Sequence, residues 1–259
     1  MIKRLIVALA VMLTALLIAG CITPSPSGEN SVSVIYTKGT GPMPTLLATD
    51  QIDGYIAWQP FVEVAPLAGI GKVLVYSGDL PPAGRWKNHP CCVFTARQDA
   101  IDDNPELTNA LTAAFVLSTQ YISEHPNESA EIVADWLAGK GNFTYGNITV
   151  SSVDVLQRAF PTVKFVNEPT DEWKNDNLEF VYAQRELGVL TGALVNTTDA
   201  ESLRLLFDTR PYESAQVMIQ SGQITTPPPQ SKPVSVGYLL SDHDAALFVA
   251  VKNWKYFQD

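Results

Sequence analysis

The sequence predicts an α/β fold with a largely parallel sheet, and three observations carry that prediction. Short apolar runs bounded by glycine, proline or polar residues alternate with stretches of helical periodicity. Strand, helix, strand in that rhythm is how β–α–β units read in a sequence. A strand–loop–helix pattern also occurs twice: "VSVIYTKGTGPMPTLLA" (32–48) and "VSVGYLLSDHDAALFVA" (234–250) share Val, Ser, Val, Tyr and the final Ala, 202 positions apart.

The elements follow in order. "SVSVIY" (31–36) alternates like a strand, Gly39-Thr40-Gly41-Pro42 breaks it, and 43–49 can begin a helix. "GYIAW" (54–58) reads as a buried strand, 61–67 as a short helix, and "KVLVY" (72–76) and "CCVFT" (91–95) as further strands. After residue 100 the chain turns helical. Asn104-Pro105-Glu106 supplies a cap, a first-turn proline and an acid, and Leu107, Leu111, Ala114, Phe115 and Ile122 mark one face. Asn127 is placed to cap the next helix, and Ser151-x-x-Asp154 opens another that reaches Phe160. Helices are expected near 172–187, 200–207 and 212–221. "TTPPPQSKP" (225–233) has the composition of a linker.

The N-terminus speaks of export. Lys3 and Arg4 precede an apolar core, Leu5 to Ala19, interrupted only by Thr14. That core is shorter than the about 20 residues a bilayer span needs, and it suits a secretory signal. Ile18-Ala19-Gly20-Cys21 resembles a lipobox, which would make Cys21 the lipid-modified first residue of the mature chain; a plain signal with a chance cysteine is the other reading. "TPSPSGENS" behind it suits a flexible tether. Removing Lys3 and Arg4 with the signal leaves 15 basic against 27 acidic residues, a net charge of −12. Nucleic acid binding needs a basic surface and is not expected.

Four places hold candidate functional residues. Gly39, Thr40 and Gly41 could hold an oxyanion through N–H groups and a hydroxyl, or form an ordinary strand-to-helix turn. Trp58 and Gln59 end a strand just before Pro60; an aromatic wall with an orienting amide and plain core packing are both open. "NHPCC" sets His89 beside Cys91 and Cys92. On a strand the two cysteines would face opposite sides, one of them buried, which favours packing over a strained disulfide or a nucleophile. No metal site is expected, because His125 and His243 lie far away in sequence. Ser241-Asp242-His243-Asp244 could cap the last helix, and two acids with a histidine could also bind an amine.

"ATDQIDGYIAWQPFVEVAPLAGIGKVLVYS", "NHPCCVFTARQDAIDDNPELTNAL" and "VGYLLSDHDAALFVAV" together resemble substrate-binding proteins of ABC importers, in the nitrate/sulfonate/taurine class that includes binders of thiamine-pyrimidine precursors. The resemblance implies a type II periplasmic-binding-protein-like fold, with two α/β lobes closing on a small ligand at the cleft. It places Trp58, Gln59, His89, Ser241, Asp242 and His243 at or near that cleft. It also implies a permease and an ATPase as partners, membrane attachment through the lipid, no cofactor and no catalytic residue. In the family the "VGYL" unit opens the chain, whereas here it comes last, so the second lobe is expected to be incomplete. The expected organisation is a signal peptide (1–20), a tether (21–31), an α/β ligand-binding lobe with following helices (32–190), a helical connector (191–224), a Pro-rich linker (225–233), and the first strand and helix of the incomplete lobe (234–259). The expected function is a lipid-anchored binder, on the outer face of the cell membrane, of a small nitrogen- or sulfur-containing solute, anions included. An enzyme on the same scaffold and a non-functional remnant are the competing readings.

Overall fold

A computed structural model describes residues 31–139, 141–224 and 234–253. Cys21, the signal and most of the tether, the linker 225–233, and Trp254 and Phe257 of the last expected helix lie outside the described residues. The chain divides into two units, Met1–Tyr36 and Thr37–Asp259. In the first, residues 31–36 take no regular secondary structure.

The second unit is mostly helical. It contains α1 (Met43–Ala48), α2 (Phe61–Leu67), α3 (Gln98–Asp103), α4 (Pro105–Glu124), α5 (Pro126–Ala138), β1 (Asn142–Tyr145), β2 (Ile148–Ser151), α6 (Ser152–Ala159), α7 (Asp171–Glu186), α8 (Asp199–Leu206), α9 (Arg210–Ser221) and α10 (Ala245–Asn253). Each expected helix is present. Ser151 accepts a hydrogen bond from Asp154 N at 3.2 Å and starts α6 as its spacing predicts. The start of α5 differs: Pro126 occupies its first turn, with His125 before it, so Asn127 lies inside the helix and does not cap it.

Among the described residues there is no parallel sheet. Residues 31–36, 54–58, 72–76, 91–95 and 234–239 take no regular secondary structure and join no ladder; the sheet among the described residues is the antiparallel hairpin β1–β2. A β-branched, alternating run becomes a strand only when a neighbour takes up its backbone N–H and C=O groups. These runs have no such neighbour, and Ile56 and Leu74 are each 94% exposed, which no packed sheet face would allow.

The core is therefore built from helix faces. α4 is central, with α9, α10 and α5 against it, while α6 joins α5 to α2. Val64, Ile122, Val133, Phe143, Leu156 and Phe248 are among the buried residues that meet there. Because α4 is covered from more than one side, most of its buried positions are small (Thr108, Ala110, Ala113, Ala114, Val116, Ser118 and Thr119), with Ile122 the large exception near its end. The larger Leu107, Leu111 and Phe115, expected to mark the core face, are only partly buried. No helix among the described residues is long and apolar enough to cross a membrane.

Candidate functional site

Two segments far apart in sequence meet at Gln59. The end of the 54–58 run delivers Gln59 into the interior, just before α2. Its amide nitrogen donates to Thr162 Oγ1 at 2.8 Å and to Glu63 Oε1 at 3.2 Å. Its backbone carbonyl accepts from Ser241 Oγ at 2.9 Å. Ser241 also accepts from His243 N at 3.1 Å, so it caps the short 3-10 turn Asp242–Asp244 that leads into α10. Asp244 Oδ2 accepts from Leu239 N at 2.6 Å and closes the turn from the other side.

This turn sets the neighbouring chemistry. Asp242 is fully buried and neither carboxylate oxygen has a hydrogen-bond partner. Burial pushes its pKa up to about 6, against the pull of the His243 imidazole. The other face of that imidazole meets the cysteines: Nδ1 lies 3.1 Å from Cys91 Sγ and 3.5 Å from Cys92 Sγ, with the sulfurs 3.7 Å apart. Contact with Cys92 lowers the Cys91 pKa to about 7, and the same contact raises that of Cys92. Burial works against a charged His243, but the Cys92 contact and the Asp242 carboxylate outweigh it, and its pKa lies above the ordinary histidine value.

Around Glu63 lies a second polar cluster. This buried carboxylate accepts from Tyr76 OH at 2.8 Å and from Gln59, and pairs with Arg158 at 3.3 Å. A cavity of about 290 Å³, lined by Tyr121, His125, Glu128 and Asn253, shares no residue with either cluster.

The chain matches the NMT1-like family over residues 6–138, just over half of its length. It is a member of the NMT1-like family. This agrees with the substrate-binding class that the sequence resembles. Over 163 residues it is 24% identical to the nitrate/nitrite binding protein NrtA of Nostoc sp. (strain PCC 7120 / SAG 25.82 / UTEX 2576), a span that is 58% of this chain and 34% of the relative. The matched part is thus about a third of that relative's length. No solved structure matches the chain.

Within this NMT1-like chain the nine residues proposed from sequence separate into groups. Gln59, Ser241, Asp242 and His243 come together as described. Trp58 precedes them and is 41% exposed, so it is not packed in a core. Gly39, Thr40 and Gly41 form the turn before α1: Thr40 is buried, its carbonyl accepts from Met43 N at 3.1 Å, and Gly39 takes a φ of +132° that favours glycine. Pro42 and Pro44 remove two of the N–H groups an oxyanion would need there. His89 turns away from the cysteines: its Nε2 is 2.6 Å from Ser77 Oγ and its ring packs edge-on against Phe180 of α7.

The cysteines require a correction. They do not face opposite sides of a strand, because 91–95 is not in a ladder; both are exposed and both reach His243. The sequence offers His243 as a ligand-binding candidate but not as a partner of the cysteines, because 152 positions of separation carry no local signal for the contact. Glu63 and Tyr76 also went unnoticed; an acid inside an otherwise apolar turn of α2 was the available sign.

Proposed function

We propose that this chain is the solute-binding component of an ABC importer, anchored by lipid on Cys21, which captures a small nitrogen- or sulfur-containing solute for a permease and an ATPase and performs no chemistry itself. Family membership and the Nostoc relative support the class. The observation that carries a local reading is at the Gln59–Ser241 junction: Gln59 Oε1 and both Asp242 oxygens are buried with no hydrogen bond of ordinary length, and Asp242 Oδ1 has only the His243 ring 3.9 Å away. Buried polar groups are nearly always hydrogen-bonded, so these acceptors call for a donor, which a water or a solute group reaching the junction would supply. All three are acceptors when Asp242 is ionised, and this favours a solute that offers N–H donors. An aminoalkanesulfonate or an amino-substituted heterocycle meets that requirement, and nitrate, which has no donor, does not.

Calorimetric titration of the chain with an aminoalkanesulfonate, the matching sulfonate without an amine, and nitrate tests the reading. The amine-bearing solute is expected to bind best, and Asp242→Asn to weaken it at least about tenfold, since a hydrogen bond to a charged group contributes about 1.5–3 kcal/mol. Equal binding of all three solutes, or an unaffected Asp242→Asn variant, defeats this assignment of the site.

Anchoring has its own expected result. Cys21→Ser should move the chain from the membrane to the soluble fraction, or leave its signal uncut. Unchanged fractionation together with unchanged processing would refute the lipid anchor.

A further inference from the structure

We propose that Cys91, Cys92 and His243 form a binding site for a divalent d10 cation of the zinc type, which clips the 234–253 segment to the run 91–95. The three side chains offer one ligand atom each, all within 4.8 Å of one another. Two thiolates and an imidazole select a thiophilic or borderline ion over calcium or magnesium, which take oxygen ligands.

The spacing of the donors sharpens the choice. With Zn–S of about 2.3 Å and Zn–N of about 2.0–2.1 Å, a tetrahedral centre sets its ligands about 3.8 Å apart for S···S and about 3.6 Å for S···N. The measured edges are 3.7 Å between the sulfurs and 3.5 Å from Cys92 Sγ to His243 Nδ1. The third edge, Cys91 Sγ to Nδ1, is 3.1 Å, a difference that a small turn of one side chain makes up. Three donors on one face leave the fourth tetrahedral position for water or a small anion.

The surroundings agree. His243 presents Nδ1 to the sulfurs while Nε2 lies 3.9 Å from Asp242 Oδ1. That distance is too long for a hydrogen bond, but a carboxylate on the far side of the ring still favours, through its charge, a proton on the nitrogen that does not ligate. Ser241 fixes the turn to the Gln59 carbonyl, so His243 reaches the cysteines from an anchored backbone. Asp242 and Asp244 add negative field at Cys91, which favours a cation there. The inference does not depend on the solute or on transport; Asp242 enters both readings, and the two cysteine variants, which the solute reading leaves unused, distinguish them.

Cobalt(II) titration tests it, with the full chain carrying Cys21→Ser so that two thiols remain, reduced with a non-thiol reagent. One cobalt per chain is expected, with a thiolate-to-cobalt charge-transfer band and the intense visible bands of four-coordination, both lost when zinc is added. Cys91→Ser, Cys92→Ser and His243→Gln should each abolish the four-coordinate spectrum, and Asp242→Asn should weaken binding about 10–100-fold, the usual effect of losing such a support. His125→Gln should change nothing. Circular dichroism checks the fold of each variant, and Cys91→Ala replaces any serine variant that fails to fold. Absence of the charge-transfer band in the reduced chain overturns the proposal, as does a His243→Gln variant that binds cobalt with the unchanged spectrum and affinity.

Discussion

Phe248→Ala is expected to lower the unfolding free energy by about 3–5 kcal/mol, the range for removing a large aromatic from a packed core. Phe248 has no exposed surface and stacks on Trp136 of α5 at 5.0 Å and 19°. Tyr238 meets it edge-on at 5.4 Å. The ring thus ties α10 to α5 and to Tyr238, and α10 as a whole packs on both α4 and α5. Alanine loses the transfer free energy of the ring and leaves a cavity that two packed helices cannot easily close. The effect should extend beyond stability. α10 begins directly after the Asp242–Asp244 turn, so a loosened helix frees Ser241 from the Gln59 carbonyl and His243 from the cysteines. Urea denaturation measures the loss, and amide exchange at residues 241–245 should rise with it. Val251→Ala, on the exposed side of the same helix, should stay within about 0.5 kcal/mol. A Phe248→Ala variant as stable as the parent would show that α10 is not part of the cooperative core.

The helices were legible because their information is local. Pro105 and Pro126 in first turns, Ser151 three residues before Asp154, and Gly222 in the left-handed conformation just past α9 each act within one turn of the backbone. Strands carry no such guarantee. "KVLVY" and "GYIAW" have the right residue types, but what makes a strand is the partner, and the partner is not written in the run itself. The hairpin that does form was passed over. Its signal was present: Phe143 and Tyr145 alternate with polar residues, and Gly146-Asn147 is a two-residue turn in which Gly146 has φ +61°. Strands of only four residues carry too few positions for the alternation to stand out. The candidate site divides in the same way. Ser241 as a cap was readable from its place before a helix. The meeting of Asp242 and His243 with residues 59, 91 and 92 depends on how α10 packs on α4 and α5, which no nearby residue encodes.

Glu63→Ala is expected to cost about 2–4 kcal/mol, and the breakdown of that figure is the informative part. Glu63 is 2% exposed and serves three donors: Tyr76 OH, the Gln59 amide and Arg158. The Arg158 ion pair contributes little, because that side chain is 53% exposed and solvent screens the charge. The hydroxyl and the amide matter more. Hydrogen bonds to a charged group contribute about 1.5–3 kcal/mol each, partly offset by the cost of keeping a carboxylate out of water. Gln59 keeps its 2.8 Å bond to Thr162, so it is not orphaned, while Tyr76 loses its recorded partner and the removed side chain leaves a void beside Val64. Glu63→Gln separates these contributions: it fills the same volume and still accepts from Tyr76, so it should cost about 1 kcal/mol, the size of a typical net hydrogen bond. Tyr76→Phe should fall in the same small range. Chemical denaturation of the three variants measures the order Ala, then Gln and Phe together. If glutamine costs as much as alanine, the charge itself rather than the hydrogen bonds and volume holds the cluster, and Arg158→Met should then match both. If instead all three are neutral, the cluster is not part of what keeps Gln59 in place, and the junction with Ser241 rests on the packing of α10 alone.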